Sequence, residues 1–112
     1  MVKGGNRRLD RQTVSDLMFI VDRIFPESAI PALDEVVAAA AGFFDVVTVR
    51  NDPEDYARTC AEWRRRLGGA RDRAVAAVGE ERTAEYERYL AATVGHFQRR
   101  HLGLCRIVLE AV

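Results

Sequence analysis

The chain has 112 residues, 48% hydrophobic and 30% charged, with 17 basic against 17 acidic residues and a formal net charge of zero. That balance argues against a disordered tail and against a general electrostatic attraction to nucleic acid or an anionic membrane. The longest apolar run, Val36 to Phe44, is too short to span a bilayer, and Cys60 and Cys105, without a CxxC or Cys/His cluster, make neither a disulfide framework nor a metal site.

Residues 1–12 are basic and polar and read as a flexible arm, with residues 13–112 as a single partial domain. No apolar stretch follows the first charges, so no signal peptide is visible and a cytoplasmic location is expected. Thr13-Val-Ser-Asp16 has the form of a capping box with Asp in place of Glu. Leu17, Ile20, Val21 and Ile24 then make one helical stripe, which Pro26 stops. After a turn over Glu27 to Ile30, Pro31 opens a second helix. Leu33, Val36, Val37, Ala40 and Ala41 form its apolar face, and Gly42 ends it. Phe43 to Arg50, rich in Val and Phe, predicts a β-strand. Both its faces are largely apolar, which fits a buried strand.

The next helix organises the chain. Asp52 can cap it and Pro53 can open it. Glu54 and Asp55 follow at the positive end of the dipole, Arg64, Arg65 and Arg66 crowd the last turn, and Gly68-Gly69 is expected to end it. Tyr56, Cys60, Trp63 and Leu67 share one face, and Trp63 is the only tryptophan. Ala70 to Val78 predicts a short helix ending at Gly79. Glu80 to Arg100 predicts a longer one with Tyr86, Leu90, Thr93 and Phe97 inward. Gly103 separates it from a last strand, Leu104 to Leu109. This order points to an α/β layer packing.

Four stretches then stand in a familiar order and spacing. They are Phe19-Ile-Val-Asp-Arg-Ile-Phe-Pro26, Gly42-Phe-Phe-Asp-Val-Val-Thr-Val-Arg-Asn51, Asp55-Tyr-Ala-Arg-Thr-Cys-Ala-Glu-Trp63 and Tyr89-Leu-Ala-Ala-Thr-Val-Gly-His-Phe97. Together they resemble the C-terminal part of the cyclopropane-fatty-acyl-phospholipid synthase family, which includes the mycolic acid cyclopropane synthases. The resemblance runs from about residue 16 to the end. It implies the C-terminal portion of a Rossmann-like methyltransferase fold, with an antiparallel strand pair (about 43–50 and 104–109) packed with four or five helices. It also implies lipid biosynthesis, by S-adenosylmethionine-dependent addition of a methylene or methyl group to an acyl double bond. In such enzymes a tyrosine in this motif helps hold a bicarbonate, and the matching residue here is Tyr56. A phenol can donate to an anion without adding charge.

The family's glycine-rich cofactor loop, and the glutamate, histidine and cysteine of its bicarbonate site, belong upstream of this region. Gly4-Gly5 and Gly68-Gly69 are the only glycine pairs, and neither reads as a nucleotide loop between strand and helix. Glu27 and Ser28 stand where the family usually has glycine, and Arg106 where glutamine is common. The expectation is therefore that this chain binds no cofactor by itself, with S-adenosylmethionine and bicarbonate belonging to the complete enzyme. An acyl lipid is the expected ligand, and a homodimer or a methyltransferase-like partner chain the expected assembly. A split subunit, a truncated product and a descendant without the chemistry all stay open.

The alternative function is a non-catalytic binding or regulatory module that kept the fold. A nucleic-acid binder ranks last, because the charges balance and no motif appears. Tyr56 itself can be a core aromatic as well as a site residue. Trp63 and Thr59 read as packing residues, and Cys60 and Cys105 as small core residues. His96 and His101 read as favouring a helix C-terminus, and Arg64-Arg65-Arg66 as a solvated helix end.

Overall fold

The computed structural model describes residues 1–112. In chain order it has strand β1 (Val2–Lys3) and helix α1 (Arg11–Phe19), which runs on as a π-helical turn over Ile20–Ile24. Helix α2 (Leu33–Ala40), strand β2 (Phe44–Asn51), and helices α3 (Pro53–Gly69), α4 (Arg71–Val78) and α5 (Glu80–Gln98) follow. Strands β3 (Leu102–Gly103) and β4 (Cys105–Ala111) close the chain. β2 pairs antiparallel with β4, and β1 with β3. The antiparallel pair and its helices are the architecture the sequence implied.

α3 and α5 lie along each other, and α1 with its π turn packs across them. Two small clusters form the core. One is Ile20, Ile24, Cys60, Tyr89 and Leu90; the other is Ala57, Phe97 and Leu102. Ile20 with Ile24, and Ala57 with Cys60, stand one turn apart, so each helix offers a single apolar stripe. In the π turn the Phe25 N–H donates to the Ile20 carbonyl at 2.9 Å. The widened turn sets the Phe25 ring edge-on to Tyr89, centroids 5.7 Å apart.

Several sequence expectations at element ends are corrected. The α1 cap is Asp10, whose Oδ1 accepts from the Thr13 N–H at 2.8 Å. The helix thus begins before the expected Thr13–Asp16 box, and both box residues are buried within it. Asp52 caps nothing with its side chain. The ladder sets Arg50 opposite Arg106, and Asp52 answers both, at 3.4 and 2.5 Å. α3 also runs through Gly68 and Gly69 and stops at Ala70. The stop falls where Arg71 ties the start of α4 to Glu80 and Glu87 of α5. α4 does end at Gly79, with a φ of 88° that favours glycine.

The first six residues of the expected flexible arm lie against the body. Lys3 pairs with Leu102, and the Gly4 N–H donates to the His101 carbonyl at 2.8 Å. A Cβ on Gly4 would sit 1.9 Å from the Arg100 carbonyl oxygen, so only glycine fits there.

The largest correction concerns β2. Every one of its residues is exposed, whereas its apolar sequence suggested burial on both faces. A β-bulge between Val46 and Thr48 sets which residues share a face. The extra residue, Val47, shifts the alternation, so that Phe44, Val46 and Val49 share a face with Ile107 and Leu109. Asp45, Thr48 and Arg50 take the other face. The strand pair therefore has one apolar face and one polar face, and no second layer covers the apolar one. Phe44 is 44% exposed and Leu109 41%.

Candidate functional site

Tyr56 lies in the first turns of α3, where Pro53 is buried and the helix start is fixed. Its ring stands edge-on to Phe97 of α5 at 5.0 Å and edge-on to Trp63 at 6.0 Å. These contacts hold the ring in a lateral cleft of about 480 Å³. Phe25, Trp63, Leu67, Ala74, Val78, Tyr86, Tyr89 and Leu90 supply apolar walls, with Arg82 and Thr83 the remaining lining groups. The volume is in the range of small-ligand pockets, and the lining suits an apolar chain far better than a polar substrate.

Burial, then the neighbouring Cys60, push the Tyr56 phenol above its ordinary value; no hydrogen bond contributes. Tyr56 is therefore a neutral donor with a free hydroxyl. Tyr89 is pushed up in the same way, mainly by burial. Arg82 lies 4.9 Å over the Tyr86 ring, and its Nη1 donates to the Arg23 carbonyl and to Glu85. The cleft's one cation is thus already engaged.

The other candidates resolve as follows. Trp63 is a cleft wall, 45% exposed, and not core packing alone. Thr59 bonds back to the Asp55 carbonyl at 3.2 Å, a local contact. Cys60 is core, and burial pushes its thiol up to about 11, which removes it as a nucleophile near neutral pH. Arg65 and Arg66 both bond Glu62 on the surface, as a solvated helix end does. Leu90, Thr93 and Phe97 are buried as expected of the inner face of α5; Tyr86, expected with them, is exposed and only lines the cleft, and its neighbour Tyr89 is buried.

His96 does stand in the last turn of α5, with His101 just past its end, but both are buried instead of solvated there. His96 is fully buried. Its Nε2 stands 3.1 Å from Asp16 Oδ2 on α1, and its Nδ1 stands 3.2 Å from His101 Nδ1 and 3.3 Å from Arg99 Nη2. Arg99 can only donate, and Asp16 already accepts from Gln12 and Arg88. One neutral tautomer satisfies all partners: His96 donates from Nε2 to Asp16 and accepts at Nδ1 from His101 and Arg99. Burial lowers the His96 pKa, against the pull of Asp16. Asp16 and His96 are 80 residues apart, so no local pattern announced the pair.

The glycine pairs do not fit a nucleotide. Gly68 and Gly69 are inside α3. Gly4-Gly5 does follow β1, but the Gly4 N–H is spent on His101 and its Cα side is closed by Arg100. Neither pair presents free N–H groups at a helix start, as a pyrophosphate or adenosyl cradle requires. No group of three or more His, Cys, Asp or Glu side chains converges to hold a metal, and no helix is long and apolar enough to cross a membrane.

The family model described as mycolic acid cyclopropane synthetase matches residues 2–107. Among solved structures, the cyclopropane synthase MmaA2 from Mycobacterium tuberculosis superposes with a TM-score of 0.84 at 25% identity, over 96% of this chain and 41% of that one. The mycolic acid cyclopropane synthase CmaA1, complexed with SAH and CTAB, gives 0.81 at 27% identity, over 92% of this chain and 37% of that one. Its apo form gives 0.70 at 27% identity, over 93% and 40%. The chain thus spans about two fifths of the length of the structures it matches.

Proposed function

The chain belongs to the mycolic acid cyclopropane synthetase family, and from that premise we propose that it forms the acyl-chain wall of an S-adenosylmethionine-dependent methyltransferase of lipid biosynthesis. The observation that carries this reading is Tyr56. Its unbonded hydroxyl sits in an aromatic cleft whose walls are apolar and whose only cation is occupied. An acyl chain would lie against Phe25, Trp63 and Tyr86, and Tyr56 would donate to an anion of bicarbonate size beside it. CmaA1, one of the similar structures, was solved with SAH and the long-chain detergent CTAB. The corresponding ligands here would be S-adenosylmethionine and an unsaturated acyl chain.

We assign the cofactor to the rest of the methyltransferase fold, a reading supported by the lack of free glycine N–H groups at a helix start here. The bare face of the β2–β4 pair points the same way. Phe44, Val46, Val49, Ile107 and Leu109 make a sheet face that needs a layer over it, and β4 has an unpaired edge. We assign that cover to the complementary part of the methyltransferase fold, whether a partner chain or, failing that, a second copy of this one. On this reading the chain is inactive alone and works in the cytoplasm.

The test is reconstitution. The chain is mixed with the cofactor-binding part of a cyclopropane synthase, and transfer of labelled methyl groups to unsaturated lipid is followed. The complex should transfer label and a Tyr56→Phe complex should transfer much less. Equal transfer by both would remove Tyr56 from the site. Complex formation with acyl-chain binding but no transfer would instead favour the non-catalytic module.

A further inference from the structure

A second cavity, of about 380 Å³, lies on the other side of α1 and shares no lining residue with the Tyr56 cleft. Leu17, Met18, Val21 and Ile30 wall it, and no carboxylate lines it. Two of its polar side chains are already engaged. The Asn6 amide donates to the Arg99 carbonyl and its oxygen accepts from the Arg8 N–H, and the Ser28 hydroxyl donates to the Phe25 carbonyl. Lys3 and Arg7 are exposed, at the mouth of the cavity. Lys3 shares its charge with Glu35 at 4.0 Å, which leaves Arg7 as the free cation of the pocket.

The deep end of the cavity is His101, only 7% exposed. Its Nδ1–H is committed to His96, which Asp16 and Arg99 orient from behind, so Nε2 of the neutral ring carries a lone pair and no proton. No protein group donates to that lone pair. Every sealed side-chain nitrogen or oxygen in the chain has a partner, so Nε2 is not sealed in and opens onto the cavity that the residue lines. The pocket thus offers a fixed acceptor at depth, an apolar wall and a cation at the mouth. An anion at depth would face an acceptor. The complementary ligand brings a donor to His101 and keeps its anion outside.

We propose that this cavity is a second ligand site, which takes a phenolic carboxylate, a flat ring with a hydroxyl at one end and a carboxylate at the other. The phenol O–H donates to Nε2 of the neutral His101. The ring lies against Leu17, Met18, Val21 and Ile30, and the carboxylate accepts from Arg7, with Lys3 beside it. A ring suits this pocket better than a flexible chain, because it holds its two polar ends apart without freezing torsions on binding. A phenol is also more acidic than an alkyl alcohol and so the stronger donor to a nitrogen lone pair. Binding moves no proton between ligand, protein and solvent, and no covalent bond forms or breaks. The site stands apart from the Tyr56 cleft and does not depend on its function.

The experiment is calorimetric titration of the chain with para-hydroxyphenylpropanoate at about pH 8, where a phenol keeps its proton and an imidazole is neutral at their ordinary values. Saturable one-site binding is expected, with the same heat in two buffers of different ionisation enthalpy. Phenylpropanoate, which lacks the donor, and para-ethylphenol, which lacks the anion, should each bind about five- to tenfold more weakly, as loss of one hydrogen bond does. Arg7→Ala, on the exposed arm, should bind para-ethylphenol and para-hydroxyphenylpropanoate alike. Met18→Trp, which fills the exposed wall, should abolish binding, and His101→Phe should lose the preference for the hydroxylated ligand. Equal affinity of the wild type for phenylpropanoate, or indifference to Arg7→Ala or to Met18→Trp, would overturn the proposal. So would no saturable binding by a chain shown to be folded.

Discussion

Acidification below about pH 6.5 should destabilise this protein through one residue, His96. The ring is fully buried and neutral, and its folded pKa is lowered by burial below the ordinary histidine value. The unfolded chain binds a proton near pH 6.5, while the native chain resists it. The sign follows from the proton count: below that pH the unfolded state holds more protons, so stability falls as pH falls. The contribution is complete above about pH 6.5 and is lost as the pH drops through the folded pKa. Within that window the slope approaches about 1.4 kcal/mol per pH unit. Protonation also makes Nδ1 of His96 a donor, facing the His101 N–H at 3.2 Å and Arg99 at 3.3 Å. Asp10, Glu62, Glu80 and Glu85 have lowered pKa values too, Asp10 mainly from the Thr13 backbone bond and the glutamates mainly from arginine hydrogen bonds. Their losses begin only near about pH 4.3, in the ordinary carboxylate range, so they leave the upper window clear. The assay is urea unfolding at several pH values, with His96→Gln as the non-titrating control. The wild type should lose stability steeply and the variant hardly at all. Equal slopes for the two proteins, or a flat wild-type profile, would refute the neutral buried imidazole.

Gly4→Ala should cost at least about 1–3 kcal/mol, since its Cβ meets the Arg100 backbone, whereas Gly5→Ala, which meets nothing within 4 Å, should be nearly silent in the same thermal melts. Tyr56→Phe should shift the unfolding free energy by less than about 0.5 kcal/mol, because its hydroxyl has no partner to lose; a larger loss would mark a structural hydrogen bond. Val49→Lys on the apolar sheet face should reduce concentration-dependent association in sedimentation, and Thr48→Lys on the polar face should not. Identical behaviour of those two variants would show that this face is not the sticky one.

Much of the architecture was legible because it rests on local rules. Gly79 at a positive φ, Pro53 at a helix start and the Val-rich run before Asn51 each mark an element by their own backbone preference. What failed needed distant information. Thr13 and Asp10 are both good caps; Asp10 caps the helix, and Asp16, the other half of the expected box, instead meets a histidine 80 residues away. The same long-range pairing hid the Asp16–His96–His101 cluster, which has no periodic signature. Apolar residues on β2 correctly predicted a strand but not its burial. The bulge at Val47 gathers Val46 and Val49 on one face, and burial depends on what packs there, which β2 does not encode. Tyr56 was singled out by its motif and lines the cleft, while its neighbours Phe25 and Arg82 reach that cleft only through the π turn and the α4–α5 junction.

The most direct measurement is methyl transfer from labelled S-adenosylmethionine to an unsaturated acyl lipid, run with this chain alone, with the cofactor-binding part of a cyclopropane synthase alone, and with both together. Label should enter the lipid only in the mixture, and Tyr56→Phe should suppress it. Transfer by this chain alone, or a stable mixture that never transfers, would contradict the account.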